Sequence, residues 1–339
     1  MSHPRYEAPP RRGDSLHNVA VGAGQGGRGL APARELEERL RRWATSDPDV
    51  RAAVVVGSFA RDDHPADEWS DLDVGLIVRH ATRFRSDDRW LEAIGQPVVR
   101  YRERPGRTWH VLFADRVDAG IAPIPVSTAR VLAALLRTLH TTPALLKVRA
   151  FDRAASALHE GAAAYVARGA RVLIDKDGTV ARALRYVGPG SRATTAPSRD
   201  ELGATVHEFF FSAVWTAKHL RRGELWRART IGVDGALKRL LLSVLEWDTH
   251  VRAPETETWE HGQFLEEWAH PSARAALATT FARYERDDSW RALFATIDLF
   301  RRLATNVATA HGYPYPEAAD AYATALVTSL HREQTGAGG

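Results

Sequence analysis

Between residues 54 and 78 the chain reads VVVGSFARDDHPADEWSDLDVGLIV. The residues there that could do chemistry are Gly57 and Ser58 and, thirteen positions beyond Ser58, the pair Asp71 and Asp73. The pair stands at the front of an apolar run with strand character. Side chains at i and i+2 of a strand point to one face, so the two carboxylates stand side by side. Like charges so placed repel, and a hard divalent cation relieves the repulsion. Mg²⁺ takes oxygen ligands from one or two carboxylates and from the phosphates of a substrate. A glycine lets backbone come close to a bulky ligand. The hydroxyl and amides of a turn entering a helix suit a phosphate. A third carboxylate on a neighbouring strand would complete a two-metal site. Asp118, which opens the apolar stretch of FADRVDAGIAPI, is the candidate. Gly120 stands where a strand would be expected to carry a large or β-branched residue, so Asp115 is kept as the fallback. Taken alone, Ser-Asp-Leu-Asp could be a polar turn leading into a strand. The whole order of apolar strand, Gly-Ser, Asp-x-Asp, apolar strand and a further strand headed by Asp is what points to metal-assisted chemistry.

These residues need a sheet to hold them. ARELEERLRRWA (33–44) places Leu36, Leu40 and Trp43 on one side of a helix. RAAVVVG and LDVGLIV read as short buried strands, PVVRYRE and RTWHVLFAD as two more, and VDAGIAPIPV as a fifth. RERPGR between the third and fourth predicts a hairpin. A helix over VSTARVLAALLRTL and a strand over RVLIDKDG follow. From about residue 198 strand signals stop and long helical patterns take over. In the last of them Trp290, Leu293, Phe294, Ile297, Phe300, Ala304 and Val307 recur at threes and fours. The expected fold is therefore α+β: a domain with a mixed β-sheet and flanking helices over 32–187, then an all-α helical bundle over 198–332. The boundary falls in GPGSRATTAPS (188–198). Residues 1–31, rich in Gly, Pro and Arg, read as a disordered leader. Gly22, Gly24 and Gly27 within it match G-x-G-x-x-G, but only Val-Ala-Val precedes them, so a flexible linker is the better reading.

Composition sets the outer bounds. The 339 residues allow two domains, and no apolar run approaches the ~20 residues of a membrane span. There is no cysteine, hence no disulfide and no thiolate metal site. With no apolar core at the N-terminus, a cytoplasmic protein is expected. The net charge of +4 is compatible with a phosphate-bearing ligand. The arginines are spread along the chain rather than gathered into a stripe, which argues against a nucleic-acid partner.

GSFAR…SDLDVGLIV resembles the signature of the DNA polymerase beta-like nucleotidyltransferases. VDAGIAPI, RVLIDKDG, HEFFFSAVWTAKHLRRGELWRA, KRLLLSVLEW and DSWRALFATIDLFRRLATNVATAHGYPYP narrow the resemblance to the aminoglycoside 6-adenylyltransferases that modify streptomycin, over residues 32–331. The resemblance implies transfer of AMP from ATP to a hydroxyl with release of pyrophosphate, a reaction that needs in-line placement and neutralised charge. It implies that Asp71 and Asp73 hold the metals that bridge the triphosphate, and that Gly57 and Ser58 cradle its outer phosphates. It implies further that Asp118 binds the second metal or accepts the proton of the attacking hydroxyl.

The helical half offers further candidates. Lys218 in VWTAKHLRR could contact the triphosphate as a point charge. Glu208, beside three phenylalanines, is an alternative general base if it is partly desolvated. His207 reads as an ordinary helix histidine. A polycationic aminoglycoside calls for carboxylates and aromatic faces, and Glu246, Trp247 and Asp248, Asp298, and Asp200 with Glu201 could supply them. Each could equally be an exposed helix charge, and the tryptophans are expected in cores. The expected partners are ATP, Mg²⁺ and an aminoglycoside, with no membrane and no nucleic acid, for a monomer or small homo-oligomer. Two other readings stay open: the same chemistry on another acceptor (a lincosamide, another metabolite or a protein hydroxyl), and a non-catalytic nucleotide-binding protein.

Overall fold

The computed structural model describes residues 30–103, 108–141, 166, 169–186 and 196–336. The glycine pattern at 22–27, the RERPGR turn at 104–107 and most of the 188–198 boundary lie outside them. The chain forms two compact units, Met1–Gly190 and Ser191–Gly339.

The first unit is built on a mixed six-stranded sheet. Helix α1 (Ala31–Ser46) leads into β1 (Val50–Val56), and a 3₁₀ turn at Gly57–Phe59 follows. Next come β2 (Leu72–Val78), α2 (Ala81–Ser86), β3 (Pro97–Arg102), β4 (Trp109–Phe113) and β5 (Asp118–Pro125). The unit continues through α3 (Val126–Thr141), β6 (Ala170–Asp175) and α4 (Thr179–Leu184). The strand order is β3-β4-β5-β2-β1-β6. Among the described residues β2 and β5 run parallel and the other neighbouring strands are antiparallel.

Strand alternation gives this sheet two apolar faces. Val55, Leu72, Val74, Leu76, Val111 and Ile121 bury one face against Leu36 and Leu40 of α1 and the Phe84, Trp90, Leu91 group. Val54, Ile77, Val172, Ala129 and Val180 occupy the other, beneath α3 and α4. The amphipathic spacing of α1 is met: Leu36 and Leu40 are buried, while Trp43 is half-buried and stacks on Trp90.

Among its described residues the second unit contains helices and connecting turns and no strand. Its main helices are α5 (Arg199–Arg221), α6 (Leu237–Arg252), α7 (Pro271–Leu277), α8 (Arg286–His311) and α9 (Glu317–Gly336). Ser198 starts α5 with a capping box: its hydroxyl accepts from the Glu201 amide, and the Glu201 carboxylate accepts from the Ser198 amide. Helix α5 ends at Arg221. A one-turn helix at Leu225–Arg227 and a wide π-type coil at Ala228–Ala236 stand between α5 and α6. The core joins Phe209 and Phe210 of α5 to Leu240, Leu241 and Val244 of α6 and to Trp290, Leu293, Ile297, Phe300 and Val307 of α8. Phe209 and Phe300 stack with ring centroids 3.6 Å apart. Two tryptophans depart from the core expectation: Trp69 is 81% and Trp226 70% exposed.

Candidate active site

The sheet register brings the sequence's carboxylates to one place. In the parallel β2–β5 pair Leu72 lies opposite Ala119 and Asp73 opposite Gly120. Asp71 immediately precedes β2 and Asp118 is the first residue of β5, so each stands one position before this first pair. Asp71 and Asp73 share a face by strand alternation, and Asp118 and Gly120 share it with them through the pairing. On the other side of Asp73, the antiparallel partner is Val56, the residue before Gly57.

Two glycines make room for Asp73. A Cβ on Gly120 would lie 2.5 Å from Asp73 Oδ1, and one on Gly57 would lie 3.2 Å from Oδ2. The Asp73 carboxylate therefore rests in the gap that two missing side chains leave. Gly57 also has φ of +72°, a conformation that lets the chain turn sharply out of β1 into Ser58. The glycine at 120, unexpected for a strand, is explained by what lies on it. Asp115, the fallback, is a turn residue bound to Arg39 Nη2 at 2.7 Å.

The electrostatics follow from this placement. Asp73 is half-buried, whereas Asp71 and Asp118 are exposed at their strand ends. Burial, and then the like charges of Asp71 and Asp118, push the Asp73 carboxyl up to about 7. Among the described residues no three Asp, Glu or His side chains are gathered tightly enough to hold a metal ion as they stand. The donor set is all oxygen, comes from adjacent register positions and carries a charge that raises its own proton affinity. It fits a hard divalent cation such as Mg²⁺.

A cavity of about 600 Å³ opens on the same sheet face beneath α3 and α4. Its floor and roof are apolar, including Val54, Ile77, Ile124, Leu132 and Leu136. Asp73, Glu103, Thr108, His110 and Thr179 add polar groups to its wall. Sequence reasoning missed Glu103, Thr108 and His110. The signal was present in the period-2 alternation of β4, which places Thr108, His110 and Leu112 on one face.

The family model described as streptomycin adenylyltransferase matches residues 32–122 and 147–330. The chain belongs to the streptomycin adenylyltransferase family. It is thus an enzyme of the nucleotidyltransferase class, as its Gly-Ser and Asp-x-Asp spacing indicates. It is 21% identical over 300 residues to an aminoglycoside 6-adenylyltransferase of Bacillus subtilis (strain 168), covering 84% of this chain and 93% of the relative. An aminoglycoside 6-adenylyltransferase of Campylobacter jejuni is 20% identical over 298 residues, covering 84% of this chain and 90% of its own. The crystal structure of an aminoglycoside 6-adenyltransferase from Bacillus subtilis covers 88% of this chain and 97% of its own, with 17% identity and a TM-score of 0.39. That structural likeness is too slight to add to the family match.

In the helical unit the expected site residues divide by burial. Lys218 is exposed on α5, one turn from half-buried Trp215 and on the same side as Phe211, which is 74% exposed. Glu208 does not meet the desolvation expected of it. Phe209 and Phe210 turn inward, but Glu208 stays exposed and pairs with Arg239. Asp248 is 1% exposed and accepts from Arg252 Nε at 2.7 Å and from Asn306 Nδ2. Trp247 is likewise buried, so neither presents a surface to a ligand, contrary to expectation. Glu246 is half-buried, with its carbonyl accepting from His250 Nδ1. Glu201 belongs to the capping box, and Asp200 beside it is exposed in the first turn. Asp298 is exposed and paired with Arg301 Nη1 at 2.9 Å.

Proposed function

We propose that the protein moves AMP from ATP to a hydroxyl of an aminoglycoside, with streptomycin the favoured acceptor, and releases pyrophosphate. The observation that carries this reading is Asp73 lodged between Gly57 and Gly120, with Asp71 and Asp118 at adjoining register positions. The family match and the names of both curated relatives support the acceptor class. No helix among the described residues is long and apolar enough to cross a membrane, and we infer a cytoplasmic site of action, where ATP is supplied.

The chain's own groups fit the demands of in-line transfer. Asp71, Asp73 and Asp118 would hold the divalent cations. Ions held there would supply charge neutralisation at the phosphoryl group and make the acceptor hydroxyl easier to deprotonate. Ser58 and the Gly57 backbone cradle the outer phosphates at the end of β1. The hydroxyl oxygen of the acceptor attacks the α-phosphorus, the bond from that phosphorus to the pyrophosphate oxygen breaks, and Asp118 takes the hydroxyl proton. Lys218, exposed on α5, can add a point charge for the polyphosphate. Glu208, exposed and bound to Arg239, is the weaker candidate for the base.

An acceptor screen tests the reading. Full-length protein with Mg²⁺ and labelled ATP is offered streptomycin, other aminoglycosides and a lincosamide, and products are weighed by mass spectrometry. Streptomycin is expected to gain the mass of one AMP. Label on a lincosamide alone would leave the chemistry standing and overturn the acceptor. Label on no acceptor, with ATP bound, would favour a non-catalytic nucleotide-binding protein.

A further inference from the structure

The face that carries the carboxylates does not end at β5. Pairing continues it as one row across five strands: Tyr101 opposite His110, His110 opposite Gly120, Gly120 opposite Asp73 and Asp73 opposite Val56. The adjoining row runs Val99, Leu112, Asp118. Partners across a sheet share a face, so the β3–β4 hairpin extends the site laterally.

This extension has its own character. The Tyr101 and His110 rings stack, with centroids 4.8 Å apart and planes 14° from parallel. Tyr101 is 57% exposed, and exposed Val99 and Leu112 lie beside it. A contiguous exposed apolar and aromatic patch marks an interaction surface. His110 also lines the cavity that reaches Asp73, together with Glu103 at the end of β3.

In-line transfer decides what belongs there. The leaving pyrophosphate and the incoming hydroxyl must lie on opposite sides of the α-phosphorus. If the outer phosphates rest at Gly57–Ser58, on the β1 side of Asp73, the acceptor approaches from the β5 side. The surface it meets there, beyond Asp118, is His110 and Tyr101. We propose that the Tyr101–His110 stack is the acceptor-binding wall, and that it takes a cationic amino sugar against the open face of Tyr101. An aromatic face beside carboxylates suits a guanidinium or ammonium group. This inference rests on the transfer reading above and adds to it the residues that select the acceptor.

Calorimetric titration of streptomycin into the full-length protein, in the presence of Mg²⁺ and a non-hydrolysable ATP analogue, tests it. Tyr101→Ala is expected to weaken streptomycin about tenfold, the size of a partly desolvated cation–π contact. His110→Ala should weaken it too, while Tyr101→Phe stays close to wild type and the analogue's own affinity is unchanged. Tyr101 is exposed, so folding should survive its loss, and a melting curve checks this. The inference is overturned if wild type does not bind streptomycin or if both alanine variants bind it as wild type does. It is also overturned if the analogue's affinity falls instead. AMP transfer assayed on the same samples separates the two claims: transfer by wild type with unaltered binding in the variants sinks this inference alone, whereas transfer to no aminoglycoside sinks the reading beneath it.

Discussion

Asp73→Asn should reduce AMP transfer at least about a thousandfold, since a bound metal contributes several kcal/mol of transition-state charge stabilisation. The same change should make the metal-free protein more stable above neutral pH. The native Asp73 carboxyl titrates at about 7 because burial and two like-charged neighbours oppose its ionisation. In the unfolded chain it would titrate near the ordinary carboxylate value of about 4. Between those two values the native state binds more protons, so stability falls as pH rises through the interval. Asparagine has no such titration. Melting curves of the two proteins at pH 5 and pH 8, with a chelator present, should diverge at pH 8 in favour of the variant. A variant that lost both activity and stability would show that Asp73 braces the fold rather than serving chemistry.

Gly120→Ala comes second in expected effect. The new Cβ would meet Asp73 Oδ1 at 2.5 Å, well inside the ~3.5 Å of an ordinary contact. Moving the carboxylate by about an ångström is enough to cost roughly a hundredfold in rate. Gly75→Ala is the matched control, because its Cβ would lie 3.5 Å from the Ile124 side chain and 4.0 Å from the Val54 carbonyl oxygen. We expect kcat to collapse in the first variant and to stay close to wild type in the second, with both proteins folded. Equal activity in the two would mean that the position of Asp73 is not critical.

Much of the first unit could be read from its residues because its strands are short, apolar and punctuated. Gly57, the Asp-x-Asp pair and Asp118 each mark a strand end, and those ends are where β1, β2 and β5 begin or stop. The register could not be read, and it is the register that sets Gly120 against Asp73 and His110 against Gly120. Gly120 looked like a flaw in a strand until its neighbour across the sheet was known. In the helical unit, periodicity found the buried stripe of α8 but could not rank polar residues by depth. Asp248 sits in LEWDTH like an exposed acid, yet α6 turns it inward to Arg252 and Asn306. Glu208 directly precedes three phenylalanines in the sequence but lies on the outer side of α5, exposed and paired with Arg239. Sequence spacing conveys which side of a helix a residue takes only when the partner helices are known.

The central claim is that Asp71, Asp73 and Asp118 together bind a divalent cation. Manganese titration followed by electron paramagnetic resonance measures it most directly, on wild type, Asp73→Asn and Asp118→Asn at pH 8. Saturable manganese binding by wild type, lost from Asp73→Asn and weakened in Asp118→Asn, is the predicted result. Manganese bound as tightly by Asp73→Asn as by wild type would contradict it.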